Sequence, residues 1–251
     1  ADERLAASRR HGEWVTVQAG PGDSVVAWVS YPERQDPAPV VLVIHENTGL
    51  TTWNRAVADQ LAAEGFIAIA PELLTMRRSG NLTTPMNSDS GRAAIRTLTE
   101  PEVQRWLVAV AHHGMALPGA AKRYGVVGFC WGGARSFLHA ASVPGLGAAV
   151  VYYGSPPSAD QLAQIEAPVL GLYGGADARI TATVPATDST LKRLGKKFES
   201  MVFEGAGHGF LRAQEAGDGA NLQAAMGAWP RTVAFLTRHL DPQPAGNGGT
   251  P

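Results

Sequence analysis

The stretch "VVGFCWGGA", residues 126–134, decides how this chain is read. It opens as an apolar run, turns at Cys130 and continues into a helix-like pattern behind a pair of glycines. The spacing is Gly128-x-Cys130-x-Gly132, with Gly133 next. A residue on a sharp strand-to-helix turn adopts strained backbone angles, and small neighbours two positions to either side let the two backbones pass. The helix that follows points its N-terminus at the thiol, which favours thiolate and supplies backbone N–H donors. The stretch therefore reads as a nucleophile elbow with sulfur in place of oxygen. A buried core cysteine is the plainer alternative for an isolated thiol, and glycines at both required positions weigh against it. A dinucleotide loop does not fit: the glycines do not spell GxGxxG, and about 20 residues on, "AAVVYYG" offers no acid to a ribose.

Outward from the elbow, two textures alternate. Short apolar runs lie at 25–29, 40–44, 66–70, 125–129, 148–153, 169–173 and 198–203, most of them apolar on both faces, as strands of a covered parallel sheet are. Helical patterns fit 54–64, 99–113, 132–142, 187–195 and 221–240, with Pro230 expected to kink or restart the last. The second is the clearest: Thr99 and Glu102 form a capping box, Pro101 sits in the first turn, and Val103, Leu107 and Val110 make one apolar stripe. Strand–helix alternation implies right-handed crossovers and a mostly parallel sheet with helices on both faces. The runs at 14–18 and 25–29, joined by "AGPGD", predict an antiparallel hairpin at the N-terminal edge. Residues 1–240 are expected to form a single domain, with the Pro/Gly-rich tail 241–251 disordered.

Bulk numbers narrow the function classes. Hydrophobic residues make up 45% of the 251 and charged residues 17%, enough for a sizeable core. A net charge of −1 gives no field to gather nucleic acid or an anionic membrane, and no apolar run has the roughly eighteen residues of a membrane span. One cysteine makes no internal disulfide. No Cys/His/Asp cluster has zinc spacing, so no metal is expected. His112 and His113 are adjacent on a helix and cannot share a face as ligands. His11 and His239 lie near the ends, and His139 is read as packed or exposed.

A thiol nucleophile needs a base, and the base an orienting group. Asp177, in "LYGGADARI", follows the run 169–173, and His208, in "FEGAGHGFLR", follows 198–203. Nucleophile, acid, histidine is the chain order of triads on this kind of sheet. Alone, Asp177 reads equally well as a turn residue and His208 as a surface-loop histidine; together, after successive strands, they read as a triad. The stretch "VIHENTG" closes the run 40–44. An oxyanion hole there would take one backbone N–H from Trp131 and one from Asn47. Glu46 is out of place beside an anionic transition state unless a cation pairs with it; a helix-terminal acid or a surface ion pair is the alternative.

Taken together, "HENTG", "GFCWGG", "YYG", "GGAD" and "GHGFLR" resemble the dienelactone hydrolase family (carboxymethylenebutenolidases), from about residue 25 to 240. The resemblance implies an α/β-hydrolase fold, no cofactor, and a triad of Cys130, His208 and Asp177 that cleaves a lactone or carboxylic ester through a thioester. It implies that Glu46 contacts the resting thiol and an arginine and swings away on substrate binding. Arg212 would bind the substrate carboxylate. A second arginine belongs to the segment after 66–70, where Arg92, Arg77 and Arg78 compete and Arg92 is preferred. That segment, "PELLTMRRSGNLTTPMNSDSGRAAIRTL", reads as a long polar lid. Family members often have Pro-Asp-Leu where this chain has Pro71-Glu72-Leu73. The expected partner is a small-molecule ester or lactone, with no nucleic acid and no membrane, and the chain is expected to be a monomer. The alanine start and a resemblance to exported members favour a periplasmic or secreted location. A broad esterase acting on neutral esters and a non-catalytic binding protein on the same fold stand as alternatives.

Overall fold

The computed structural model describes residues 1–241; apart from Asp241, the tail expected to be disordered lies outside that range. The strands are β1 (Gly12–Gly20), β2 (Asp23–Ser30), β3 (Ala38–Ile44), β4 (Ile67–Glu72), β5 (Ala120–Phe129), β6 (Ala148–Tyr152), β7 (Val169–Gly174) and β8 (Phe198–Phe203). The helices are α1 (Asp2–Ala7), α2 (Thr52–Ala63), α3 (Ser88–Ile95), α4 (Glu100–Ala116), α5 (Trp131–Ser142), α6 (Ala159–Gln164), α7 (Ala178–Thr181), α8 (Val184–Arg193) and α9 (Ala220–Leu240). One sheet holds the strands in the order β1-β2-β4-β3-β5-β6-β7-β8. β2 pairs antiparallel with β1 and β4, and every later pairing is parallel. This is the α/β-hydrolase fold, with the edge hairpin that residues 14–29 predict.

All of β3 is buried because its two faces feed two cores. Val40, Leu42 and Ile44 join Val103, Leu107 and Val110 of α4 and Phe137 of α5; Val41 and Val43 join Val57 and Leu61 of α2 and Phe235 and Leu236 of α9. Each such side chain contributes about 1.5–3 kcal/mol by leaving water. The sheet is thus clamped between helix layers, and the ends of its parallel strands are held in fixed register. α4 starts as its capping box dictates: the Glu102 carboxylate accepts from the Thr99 N–H at 2.9 Å and from its hydroxyl at 2.7 Å.

Three elements differ from the sequence reading. α9 runs through Pro230 without restarting; the carbonyl left without a helical partner is that of Met226, which lies on the exposed face. The expected polar lid contains α3, capped by the Asn87 side chain, which accepts from the Asp89 N–H at 2.9 Å. α1 buries none of its residues, and just after it Ser8 and Arg10 are tied to Asp59 of α2 at 2.6–3.0 Å. Among the described residues no helix is long and apolar enough to cross a membrane.

Candidate active site

Cys130 caps α5 with φ 55° and ψ −113°, on the left-handed side of backbone space where a non-glycine residue costs about 1–3 kcal/mol. The strain persists because the backbones around it are jammed. A Cβ on Gly128 would collide with the carbonyl of Gly132, one on Gly132 with the carbonyls of Ile44 and His45, and one on Gly133 with that of Tyr152. The Cys130 N–H donates to the Tyr152 carbonyl at 3.0 Å. The thiol, partly exposed, stands at the N-terminus of a twelve-residue helix.

Asp177 and His208 converge on this point from the ends of β7 and β8. The two loops brace each other: Gly175 N–H donates to the Phe203 carbonyl at 2.7 Å and Ala176 N–H to that of Ala206 at 2.9 Å. Buried Asn221 holds the histidine loop, accepting from the Gly207 N–H and donating to the Ala213 carbonyl, each at 2.8 Å. His208 Nδ1 lies 2.5 Å from Asp177 Oδ2. The carboxylate only accepts, so Nδ1 carries the proton and Nε2 is left for the thiol. The imidazole is pushed up to about 9, by its hydrogen bond to Cys130 above all and by Asp177 as well, against the opposing effect of burial. The sequence-predicted base and orienting acid are thus in contact, and the sequence-predicted nucleophile is near enough to raise the pKa of the base.

The loop after β3 lies across the elbow. Glu46 Oε2 accepts from Arg212 Nε at 2.6 Å, so the carboxylate that looked out of place has its cation. A Cβ on Gly209, next to His208, would sit 3.9 Å from Glu46 Oε1. The backbone N–H groups of Asn47 and Trp131 have no acceptor among the described residues. A groove of about 800 Å³ opens beside Arg212, walled by Trp53, Leu222, Met226 and Trp229.

The three competing arginines separate. Arg77 pairs with Glu102 at 2.7 Å. Arg78 is nearly buried and binds Glu72 at 2.8 Å and the carbonyls of Asn81 and Thr84. Arg92 pairs with Asp89 on its own helix at 2.6 Å and is well exposed. Its neighbour Gly91 packs on the Thr48 backbone, so α3 abuts the loop that carries Asn47. Glu72, the departure from Pro-Asp-Leu, is fully buried and accepts from the N–H groups of Leu50 and Leu74.

The sequence reading gave no role to Tyr153. It has φ 40°, is buried, and its hydroxyl has no partner among the described residues. Its ring centroid is 5.1 Å from that of His208. Burial, then the nearby Glu46 carboxylate, raises its pKa well above the ordinary tyrosine range. The available signal was Gly154 directly after it, whose missing Cβ makes room for Gly133 and Ala134. Among the described residues no group of three or more His, Cys, Asp or Glu side chains could hold a metal ion.

The sequence profile of the dienelactone hydrolase family matches residues 25–240. A candidate carboxymethylenebutenolidase of Salmonella typhimurium is 33% identical over 231 residues, 87% of this chain and 84% of its own. One of Escherichia coli K12 is 35% identical over 202 residues, 75% of this chain and 74% of its own. Among solved structures, a candidate dienelactone hydrolase of Klebsiella pneumoniae superposes with a TM-score of 0.80 at 28% identity, covering 92% of this chain and 100% of that one. A dienelactone hydrolase-like promiscuous phosphotriesterase from metagenomic libraries has the same fold, with a TM-score of 0.80 at 21% identity over 93% of this chain and 100% of its own. The family profile, the relatives and the sheet with its elbow agree: this chain belongs to the dienelactone hydrolase family and is a hydrolase of ester or lactone bonds.

Proposed function

We propose that Cys130, His208 and Asp177 are the catalytic triad of a lactone or carboxylic-ester hydrolase that works through a thioester. The observation that carries this reading is the strained Cys130 at the head of α5 beside an imidazole that Asp177 holds at 2.5 Å and whose pKa the thiol raises. Cys130 Sγ attacks the carbonyl carbon as its proton resides on His208 Nε2. The C=O electrons move onto oxygen, where the N–H groups of Trp131 and Asn47 receive them. One such donor is typically worth roughly 3–4 kcal/mol. Collapse breaks the C–O bond, and the leaving oxygen takes the proton from His208. Water, deprotonated by the same nitrogen, then attacks the thioester and expels the thiolate. Because thiolate leaves more readily than most alkoxides, activated esters and enol-lactones suit this cycle.

Arg212 binds a substrate carboxylate, which displaces Glu46 and thereby links thiol exposure to substrate arrival. Arg92, on the helix against the Asn47 loop, is a second anchor for that carboxylate. Residues 1–240 are read as a single-domain monomer, and light scattering checks the oligomeric state. The second reading, an esterase for neutral esters, is favoured by Arg212 already having a carboxylate partner in Glu46.

Hydrolysis of p-nitrophenyl acetate by wild type and Cys130→Ala tests the nucleophile. Turnover is expected to fall by about 10⁴-fold or more, as triad knockouts do, and mass spectrometry of wild type should find an acetylated Cys130. Near-wild-type turnover in the variant would remove the thiol from the mechanism.

A further inference from the structure

His45 belongs to no triad and is fully buried, yet it touches both sides of the oxyanion site. Its Nδ1 lies 2.6 Å from the carbonyl oxygen of Glu46. Its Nε2 accepts from the Leu73 N–H at 3.2 Å. Its ring stacks on that of Trp131, with centroids 5.6 Å apart and planes 15° from parallel. The Leu73 N–H can only donate, so Nε2 is bare and the proton sits on Nδ1, aimed at the Glu46 carbonyl.

That carbonyl and the Asn47 N–H are two ends of one peptide unit. In a trans peptide they point in opposite directions; the chain has no cis bond among the described residues. Fixing the oxygen on the His45 side therefore aims the Asn47 N–H away from it. A turn locked by Glu72 holds the far side of the ring: the Glu72 carboxylate accepts from Leu50, Leu74 and Arg78, and so presents the Leu73 N–H to Nε2. Burial lowers the His45 pKa against the opposing pull of Glu72, whose Oε1 lies 3.7 Å from Nε2, and so favours the neutral ring that the Leu73 contact calls for.

We propose that His45 is a positioning residue of the oxyanion hole: its Nδ1–H holds the Glu46 carbonyl so that the N–H of the same peptide, on Asn47, faces the reacting carbonyl. The inference rests on the proposed role of Asn47 and names what sets that donor's direction. A peptide free to rotate by a few tens of degrees would still leave the thiol in place but would lose the charge stabilisation.

The test separates two reactions of the same sulfur. Acylation by p-nitrophenyl acetate develops an oxyanion; alkylation by iodoacetamide does not. In His45→Asn the side-chain amide nitrogen falls near the position of Nδ1 and can donate to Glu46; in His45→Gln it falls near Nε2 and cannot. The Gln variant should lose on the order of 100-fold in acylation rate, the scale of a displaced catalytic donor, with KM and alkylation close to wild type. The Asn variant should keep acylation within about tenfold of wild type, since a replacement donor restores most of a hydrogen bond's net contribution. The inference is overturned if the Gln variant acylates like wild type, if Asn and Gln fall alike, or if acylation and alkylation fall in parallel. Should the Gln variant fail to fold, the Asn variant decides alone: a 100-fold acylation loss with intact alkylation overturns the proposal. Failure of the triad reading looks different, since turnover would then survive Cys130→Ala.

Discussion

Two glutamate–arginine pairs flank the proposed oxyanion loop, at nearly equal length and in opposite circumstances. Glu46 meets Arg212 at 2.6 Å, with the arginine side chain 50% exposed. Glu72 meets Arg78 at 2.8 Å, with the two side chains 1% and 8% exposed. Glu72 has further partners in the N–H groups of Leu50 and Leu74. Arg78 Nη2 donates to the carbonyls of Asn81 and Thr84. Such a pair is a bracket, since removing either partner strands a buried charge. Among the described residues Glu46 has one ionic partner, an arginine that water can reach. Equal ion-pair distances thus describe a fixture in one place and an exchangeable contact in the other; the number of satisfied donors and the access of solvent distinguish them.

The contrast breaks most readily at the bracket. Arg78→Ala should cost about 3–5 kcal/mol, the usual penalty for stranding one member of a buried pair, read as a fall in the urea midpoint at constant slope. A shift under about 1 kcal/mol would make Arg78 no more than a surface ion pair. Arg212→Ala should instead move stability by less than about 1 kcal/mol. Its loss should fall on anionic esters, as a roughly ten- to hundredfold rise in KM, or about 1.4–2.8 kcal/mol. Equal losses on a neutral ester of matched leaving group would mean that Arg212 does not recognise carboxylate.

The smallest effect is on pH dependence. His208 titrates at about 9 in the folded chain against 6.5 for a free imidazole. A raised pKa means the folded state holds the proton more tightly. The resulting stabilisation is complete below pH 6.5 and disappears as pH rises through about 9. Thermal melts of wild type and His208→Gln across that window should diverge at the acid end and converge at the alkaline end, modestly, because the side chain is about one-third exposed. A constant offset across the window would contradict the shift.

The sequence was most legible where local sterics dictate structure. Gly128, Gly132 and Gly133 marked the elbow because backbones meet there, and the apolar runs marked the inner strands because both of their faces are covered. The meeting of Asp177 with His208 followed from strand order. What escaped depends on partners far apart in the chain. The role of Glu72 arises from Leu50 and Arg78, and nothing local distinguishes it from a surface acid. α3 carries only Gly91 and Ile95 as buried residues, so it has no apolar period to read. Tyr153 escaped because a large residue is not expected at φ 40°.

The glycine contacts at the elbow have a consequence for engineering. Helix α5 is seated on the carbonyls of Ile44, His45 and Tyr152 with no side chain between. The sulfur's coordinates are therefore referenced to main chain, in the way a machine part is located by hard stops rather than by padding. Exchanges of Val, Leu or Phe deep in either core can soften the molecule without shifting where bond-making happens. A single methyl group added at residue 132 would shift it directly.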